Sequence, residues 1–239
     1  MRWLDMCSQW IYPNRCPCCG ELNIADEPCD ACGEDLENCR IKGKVCRHCG
    51  LEKQYCQCRE YHYLFEGTVA PYYNTGAAQN GVYMLKFQNA PFAAKFFGRQ
   101  MAKSFETVFP KVKIDFICIV PSSEKDLRQS RYDKVELLAK ACSKEMKIPL
   151  KVKALKKISD TEKQHSLSHD KRQANVKGAY KASKRFDGKT VLLIDDIKTT
   201  GYTLNECSKQ LRLAGAESVY CLTALMTLNK SCKIGKTAI

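Results

Sequence analysis

Apolar positions along the chain fall into short unbroken runs, separated by segments where they recur every three or four residues. Val191-Leu192-Leu193-Ile194, Ile114 to Val120 and Ser218 to Met226 lack polar alternation, as strands buried on both faces of a parallel sheet do. Phe92, Phe96, Phe97 and Met101 recur at helical spacing, which predicts a core-facing helix from Pro91 to Val108. Further helices are predicted from Lys134 to Lys147 and from Thr203 to Ala214. Tyr61 to Tyr73 is rich in aromatic and β-branched residues and reads as strands arranged in a hairpin. Gly81 to Phe87 leads into the first helix, and Val152 to Leu155 reads as a short strand. Strand and helix in alternation predict a right-handed, mostly parallel α/β domain.

One run carries chemistry at its end. After Val191–Ile194 come Asp195 and Asp196, then Ile197-Lys198 and the short loop Thr199-Thr200-Gly201-Tyr202-Thr203. In open α/β sheets ligands bind at this carboxyl edge of the strands. A loop entering a helix offers free backbone N–H groups and hydroxyls to an anion. Two acids in front of such a cradle suit a ligand with vicinal hydroxyls and a phosphate, such as a phosphorylated ribose. A Walker-type ATPase would need a Gly-x4-Gly-Lys-Ser/Thr loop elsewhere. Gly188-Lys189-Thr190 comes nearest, but Ser183 occupies the first Gly position and the segment leads into a strand.

The cysteines form a second pattern. Eleven of the 16 precede residue 60, and eight of these make close pairs: Cys16-x2-Cys19, Cys29-x2-Cys32, Cys46-x2-Cys49 and Cys56-x-Cys58. Gly20, Gly33 and Gly50 follow three of the pairs, as in zinc knuckles, where Gly relieves a tight turn. With no export signal, metal sites are expected rather than disulfides. Eight thiolates make two closed tetrahedral Zn²⁺ sites, paired in chain order as Cys16, Cys19, Cys29, Cys32 and Cys46, Cys49, Cys56, Cys58, with an interleaved pairing as the alternative. Closed four-thiolate sites leave no open position for catalysis and staple a segment too small to fold alone. Cys7, Cys18 and Cys39 are spare, and Cys18 lies near enough to compete as a ligand. His48 and His62 are read as incidental.

Composition sharpens this reading. No apolar run approaches a membrane span, and Met1 to Arg15 lacks the apolar core of a signal peptide, so it reads as a short amphipathic helix in a cytoplasmic protein. The length of 239 residues suits a small module, residues 1–60, before a larger domain, residues 61–239. The net charge is +13, yet residues 1–60 carry 8 Lys/Arg against 10 Asp/Glu, while 144–189 carry 14 against 5. Such asymmetry points to a polyanionic partner, most simply nucleic acid. Ser159 to Asn175 is polar and reads as a loop; His165 and His169 there are a weak metal signal.

Longer-range order then identifies a resemblance. Val191–Thr203 resembles the phosphoribosyl diphosphate motif of type I phosphoribosyltransferases. The paired-Cys ribbon, Leu85-Lys86-Phe87, Pro121, Leu127-Arg128 ahead of Tyr132, Glu136-Leu137-Leu138-Ala139 and the run from Gln164 through Leu167, Ser168, Arg172 and Asn175 to Tyr180 together resemble the competence protein F family, and within it the ComFC-type late competence proteins. Ser130-Arg131-Tyr132 departs from the Arg-Gly that family members carry at this loop. The resemblance implies a type I phosphoribosyltransferase-like parallel sheet with helices on both faces, behind a double zinc ribbon. It further implies a role in natural transformation, with single-stranded DNA, a DNA-translocating helicase and recombination-mediator proteins as partners.

Two functions follow as expectations. In the first, an accessory protein of DNA uptake binds single-stranded DNA through Arg128, Lys156, Lys157, Lys171 and Arg172, and a phosphoribosyl group or nucleotide end through the acidic–Thr loop. In the second, an active phosphoribosyltransferase holds the ribose hydroxyls on Asp195 and Asp196, directly or through Mg²⁺. Thr199, Thr200, Gly201 and Thr203 then cradle the 5-phosphate. No segment reads as an acceptor site, so binding is preferred over turnover.

Overall fold

The fold is given by a computed structural model, which describes residues 14–23, 27–56, 58–59, 61–87, 90–123, 127–128, 132–159 and 176–228. The amphipathic helix expected before Arg15, together with Arg131, His165, His169, Lys171, Arg172 and the tail from Asn229, lies outside the described residues.

The main sheet is parallel. β3 (Phe116–Ile119), β6 (Thr190–Lys198) and β7 (Ser218–Met226) run side by side, and β7 also pairs with β1 (Gly67–Val69) and β2 (Tyr72–Tyr73). The expected hairpin is therefore absent: β1 and β2 lie in succession along the same edge of β7, both parallel to it. Pro71, between them, has no N–H to continue the ladder. Val152–Leu155 is also corrected, since Val152–Ala154 is a 3₁₀ turn and the strand, β4, is Leu155–Lys157. It pairs antiparallel with β5 (Tyr180–Ala182), apart from the main sheet.

The period of two along the strands divides the core between the two faces. Ile117, Ile119, Leu192, Ile194 and Leu222 pack with α2 (Gly76–Phe87), α3 (Phe92–Val108) and α4 (Lys134–Met146). Phe116, Cys118, Val191, Leu193 and Cys221 pack on the other face with Leu204, Cys207 and Leu211 of α5 (Tyr202–Leu213). Gly81–Phe87 is thus the second half of a helix of its own, preceding the one that begins beside Pro91. Helix α4 starts where Asp133 accepts hydrogen bonds from Val135 N and Glu136 N, at 2.9 and 3.2 Å. No helix among the described residues is long and apolar enough to cross a membrane.

The cysteine-rich segment repeats one small device. In the first pair Gly20 N donates to Cys16 O and Cys16 N to Glu21 O; in the third, Gly50 N donates to Cys46 O and Cys46 N to Leu51 O. Gly20 and Gly50 both sit at φ +79°. The second pair differs from the expected knuckle: Cys29 and Cys32 lie at the first turn of α1 (Asp30–Cys39), and Gly33 is an ordinary helical residue. The segment shares the core of the α/β layers. Cys16, Cys18, Leu36 and Cys39 join the face covered by α2, α3 and α4, and Cys49 and Leu51 join the α5 face.

Candidate functional site

Thiol positions come first, because the local turns fix them. The Sγ atoms of Cys16, Cys19, Cys29 and Cys32 lie within 4.8 Å of one another, and so do those of Cys46, Cys49, Cys56 and Cys58. This is the chain-order pairing. Four thiolates at about 2.3 Å from a tetrahedral ion stand about 3.8 Å apart. The sulfurs measure 3.9 Å for Cys19–Cys29, 3.6 Å for Cys46–Cys58 and 3.7 Å for Cys49–Cys56, so both clusters fit such an ion. Burial pushes the Cys16 thiol up, but the N–H groups of Cys29, Cys18 and Cys19 outweigh it and hold the group down to about 7. Cys46 is likewise brought to about 7 against burial, by Cys49 and His48 N–H groups. Cys18 stands outside the cluster, buried, with its thiol pushed up by that burial.

The acidic pair sits within the carboxyl end of β6 rather than after it. Asp196 N donates to Asp195 Oδ1, and Ile197 N to Asp196 Oδ1, each at 2.9 Å. Burial, and then the neighbouring Asp196 charge, hold the Asp195 carboxyl well above the usual carboxylate range. Asp196 is ion-paired at 2.6 Å with Lys134 Nζ, from the first turn of α4. Sequence reasoning missed Lys134, because the pair spans 62 positions.

Thr199, Thr200 and Gly201 turn the chain from β6 into α5. Gly201 is at φ +83° and immediately precedes the first helical residue of α5, so the turn leads directly into the helix N-terminus. A side chain there would be strained and would sit 3.0 Å from Tyr63 Cε1 and 3.2 Å from Lys198 Cε. Tyr63 donates its hydroxyl to Thr200 O at 2.9 Å, and Leu64 N donates to Asn205 Oδ1 at 2.6 Å. Tyr61 meets Tyr202 edge-on at 6.0 Å. The stretch from Tyr61 to Leu64 therefore clasps the loop and the start of α5. Thr200 and Gly201 are buried, and Thr199 and Thr203 are half-buried. The fold brings all six predicted residues, Asp195, Asp196, Thr199, Thr200, Gly201 and Thr203, to one carboxyl edge.

The predicted basic residues are less unified. Arg128 lies exposed beyond the end of β3. On β4, Lys156 is exposed and paired in register with Lys181, while Lys157 is half-buried with Nζ 6.0 Å from the centre of the Tyr180 ring. Adjacent strand residues face opposite ways, so these two lysines do not act as a pair. A shallow groove of about 440 Å³ beside β4 and β5 is lined by Lys151, Val152, Lys153, Ala154, Ser183, Lys184 and Phe186. Lys151, Lys153, Lys181 and Lys184 were legible in the sequence only as part of a charge run.

A parallel sheet with helices on both faces, and an acidic pair running into a Gly-containing turn at its carboxyl edge, make up a type I phosphoribosyltransferase-like fold. Residues 136–236 match the family described as phosphoribosyl transferase domain. The chain is similar to competence protein F of Haemophilus influenzae, 28% identical over 220 residues, covering 84% of this chain and 92% of that protein. It is also similar to DNA utilization protein YhgH of Escherichia coli K12, at 28% over 110 residues, covering 45% of this chain and 48% of that protein. Among solved structures it is similar to an adenine phosphoribosyltransferase, at 15% identity and TM-score 0.36, covering 63% of this chain and 76% of the other. A glutamine phosphoribosylpyrophosphate amidotransferase from B. subtilis gives 23% and 0.35, covering 54% of this chain and 25% of the other.

Proposed function

We propose that the chain is an accessory protein of DNA uptake that binds single-stranded DNA and holds a phosphoribosyl diphosphate-type ligand at Asp195–Thr203, with Zn²⁺ in both four-cysteine clusters. The DNA reading rests chiefly on one observation: Lys151, Lys153 and Lys184 line a groove beside the strand pair that carries Lys156 and Lys181, and none of these lysines has an ion-paired carboxylate among the described residues. Like charges set opposite one another across a strand pair, as Lys156 and Lys181 are, destabilise it, and a phosphate backbone relieves that cost. Names of the relatives, competence and DNA utilization, agree in kind. In this reading Arg128, Lys156 and Lys157, with Lys171 and Arg172 beyond the described residues, track the backbone, helped by Lys153, Lys181 and Lys184. A competence helicase and recombination mediators would receive the strand.

At the loop, Thr199, Thr200, Gly201 and Thr203 would hold the phosphate. Asp195 and Asp196 would hold the ribose hydroxyls, directly or through Mg²⁺, which supplies charge neutralisation for the diphosphate. Lys134 would release Asp196 as the ligand arrives. With no segment that reads as an acceptor site, binding is preferred over turnover, and active transfer to an acceptor is the second reading. Binding of a labelled single-stranded oligonucleotide across a salt series tests the DNA claim. Affinity should fall steeply with salt, by counterion release, and a flat series would refute it.

A further inference from the structure

Lys198 ends β6 directly before the Thr199-Thr200-Gly201 turn, and it is the only buried lysine or arginine among the described residues, 1% exposed. No ion-paired carboxylate meets it among the described residues. Its ammonium lies 5.3 Å from the centre of the Tyr63 ring; burial lowers its pKa, and the neighbouring sulfurs that act against this when ionised are Cys49, Cys221, Cys58 and Cys46. Three of these belong to the second four-cysteine cluster. Four thiolates around a divalent ion carry two net negative charges, and a buried cation beside them satisfies both groups.

The same side chains hold the loop. Tyr63 donates to Thr200 O at 2.9 Å, and Tyr63 and Lys198 together cover Gly201. Tyr63 is in turn set by the cluster: His48, inside the Cys46–Cys49 turn, packs edge-on against Tyr63 and Phe65, each at 5.8 Å. A side chain at Gly50, which closes that turn, would come within 2.9 Å of Thr68 O on β1. Turn, ring, ammonium and loop are packed in one unbroken series.

We propose that the second four-cysteine site is a positioning element for the loop: its metal-bound dianion fixes Lys198 and Tyr63, and these fix the Thr199–Gly201 backbone. The proposal rests on the loop being the phosphate cradle described above. Among the described residues the first cluster has no such link, so metal at the two sites has different consequences.

Amide hydrogen exchange of the full chain, with metal stoichiometry measured alongside, tests this. Cys56→Ser, at an exposed ligand, should remove one metal equivalent and speed exchange of the 199–204 segment about tenfold, whereas Cys19→Ser should remove one equivalent and leave that segment unchanged. Lys198→Met and Tyr63→Phe provide the same test with both clusters' ligands intact. Each should speed loop exchange, and Lys198→Met should also hasten release of one metal equivalent to a chelator. Coupling is reciprocal, so saturating phosphoribosyl diphosphate should slow release of that equivalent about tenfold in the wild type and not in Lys198→Met. Unchanged loop exchange in Cys56→Ser and Lys198→Met, or equal acceleration in Cys19→Ser, overturns the proposal. If exchange follows the second site but calorimetry detects no binding of phosphoribosyl diphosphate, the positioning role stands and the phosphoribosyl reading falls.

Discussion

The first four-cysteine cluster joins the core on the face of the sheet covered by α2, α3 and α4, whereas the second sits on the α5 face, against the turn that ends β6. Their first pairs share one turn, closed by Gly20 and Gly50, and their sulfur separations are similar at 3.9 and 3.6 Å, although the second pair of the first cluster lies on α1. Their neighbours differ. Beside the first cluster Met84 of α2 stands against Gly20, and α1, which carries Cys32, meets α2 where the exposed Asp35 accepts from Ala77 N at 2.7 Å. Around the second stand Tyr63, His48 and Lys198. One local motif thus serves as a staple in one place and as a support for a ligand site in another, and the packing decides which.

The largest way to sharpen that contrast is to remove a ligand from the staple. Cys16 is fully buried and accepts from Cys18 N and Cys29 N, so Cys16→Ser should cost several kcal/mol and lower Tm by about 10 °C in a thermal scan. Backbone N–H groups favour the Cys16 thiolate, and because protons compete with metal for thiolates, progressive acidification should release the metal. A second test strains the ligand site alone. Gly201→Ala should destabilise by about 1–3 kcal/mol in denaturant unfolding, with the loss centred on the loop rather than on either cluster.

A third change should have the opposite sign. Burial and the neighbouring Asp196 charge make ionisation of Asp195 costly, so Asp195→Asn should raise stability by about 1 kcal/mol at neutral pH while weakening ligand binding. The folded-state value of Asp195 lies above its unfolded value, so the wild-type penalty is complete once pH has risen through the folded value. It is gone below the unfolded value of about 3.9, and the gap between variant and wild type should close as pH falls toward it. The smallest effect belongs to the groove: Lys156→Glu should lower the salt slope of single-strand binding by about one unit, with little change in Tm.

The strands of the main sheet were legible because burial on both faces leaves unbroken apolar runs, and the acidic–Thr segment because its chemistry is contiguous. Cysteine pairing was legible because each ligand pair is local. What the sequence concealed is non-local. Tyr61–Tyr73 looked like a hairpin because its true partner, β7, lies about 150 residues away. Gly33 mimicked a knuckle glycine although Cys29 and Cys32 lie on a helix. Lys134 and Tyr63 reach the site from other elements, and Lys198 stood within the motif as a spacer residue. A lysine in a segment otherwise apolar enough to be buried was the signal available for it.

Calorimetric titration of the zinc-loaded chain with phosphoribosyl diphosphate and Mg²⁺ bears most directly on the whole account. One saturable site per chain is expected, weakened at least about tenfold in Asp195→Asn/Asp196→Asn. Absence of saturable binding, or unchanged affinity in the double variant, would contradict it.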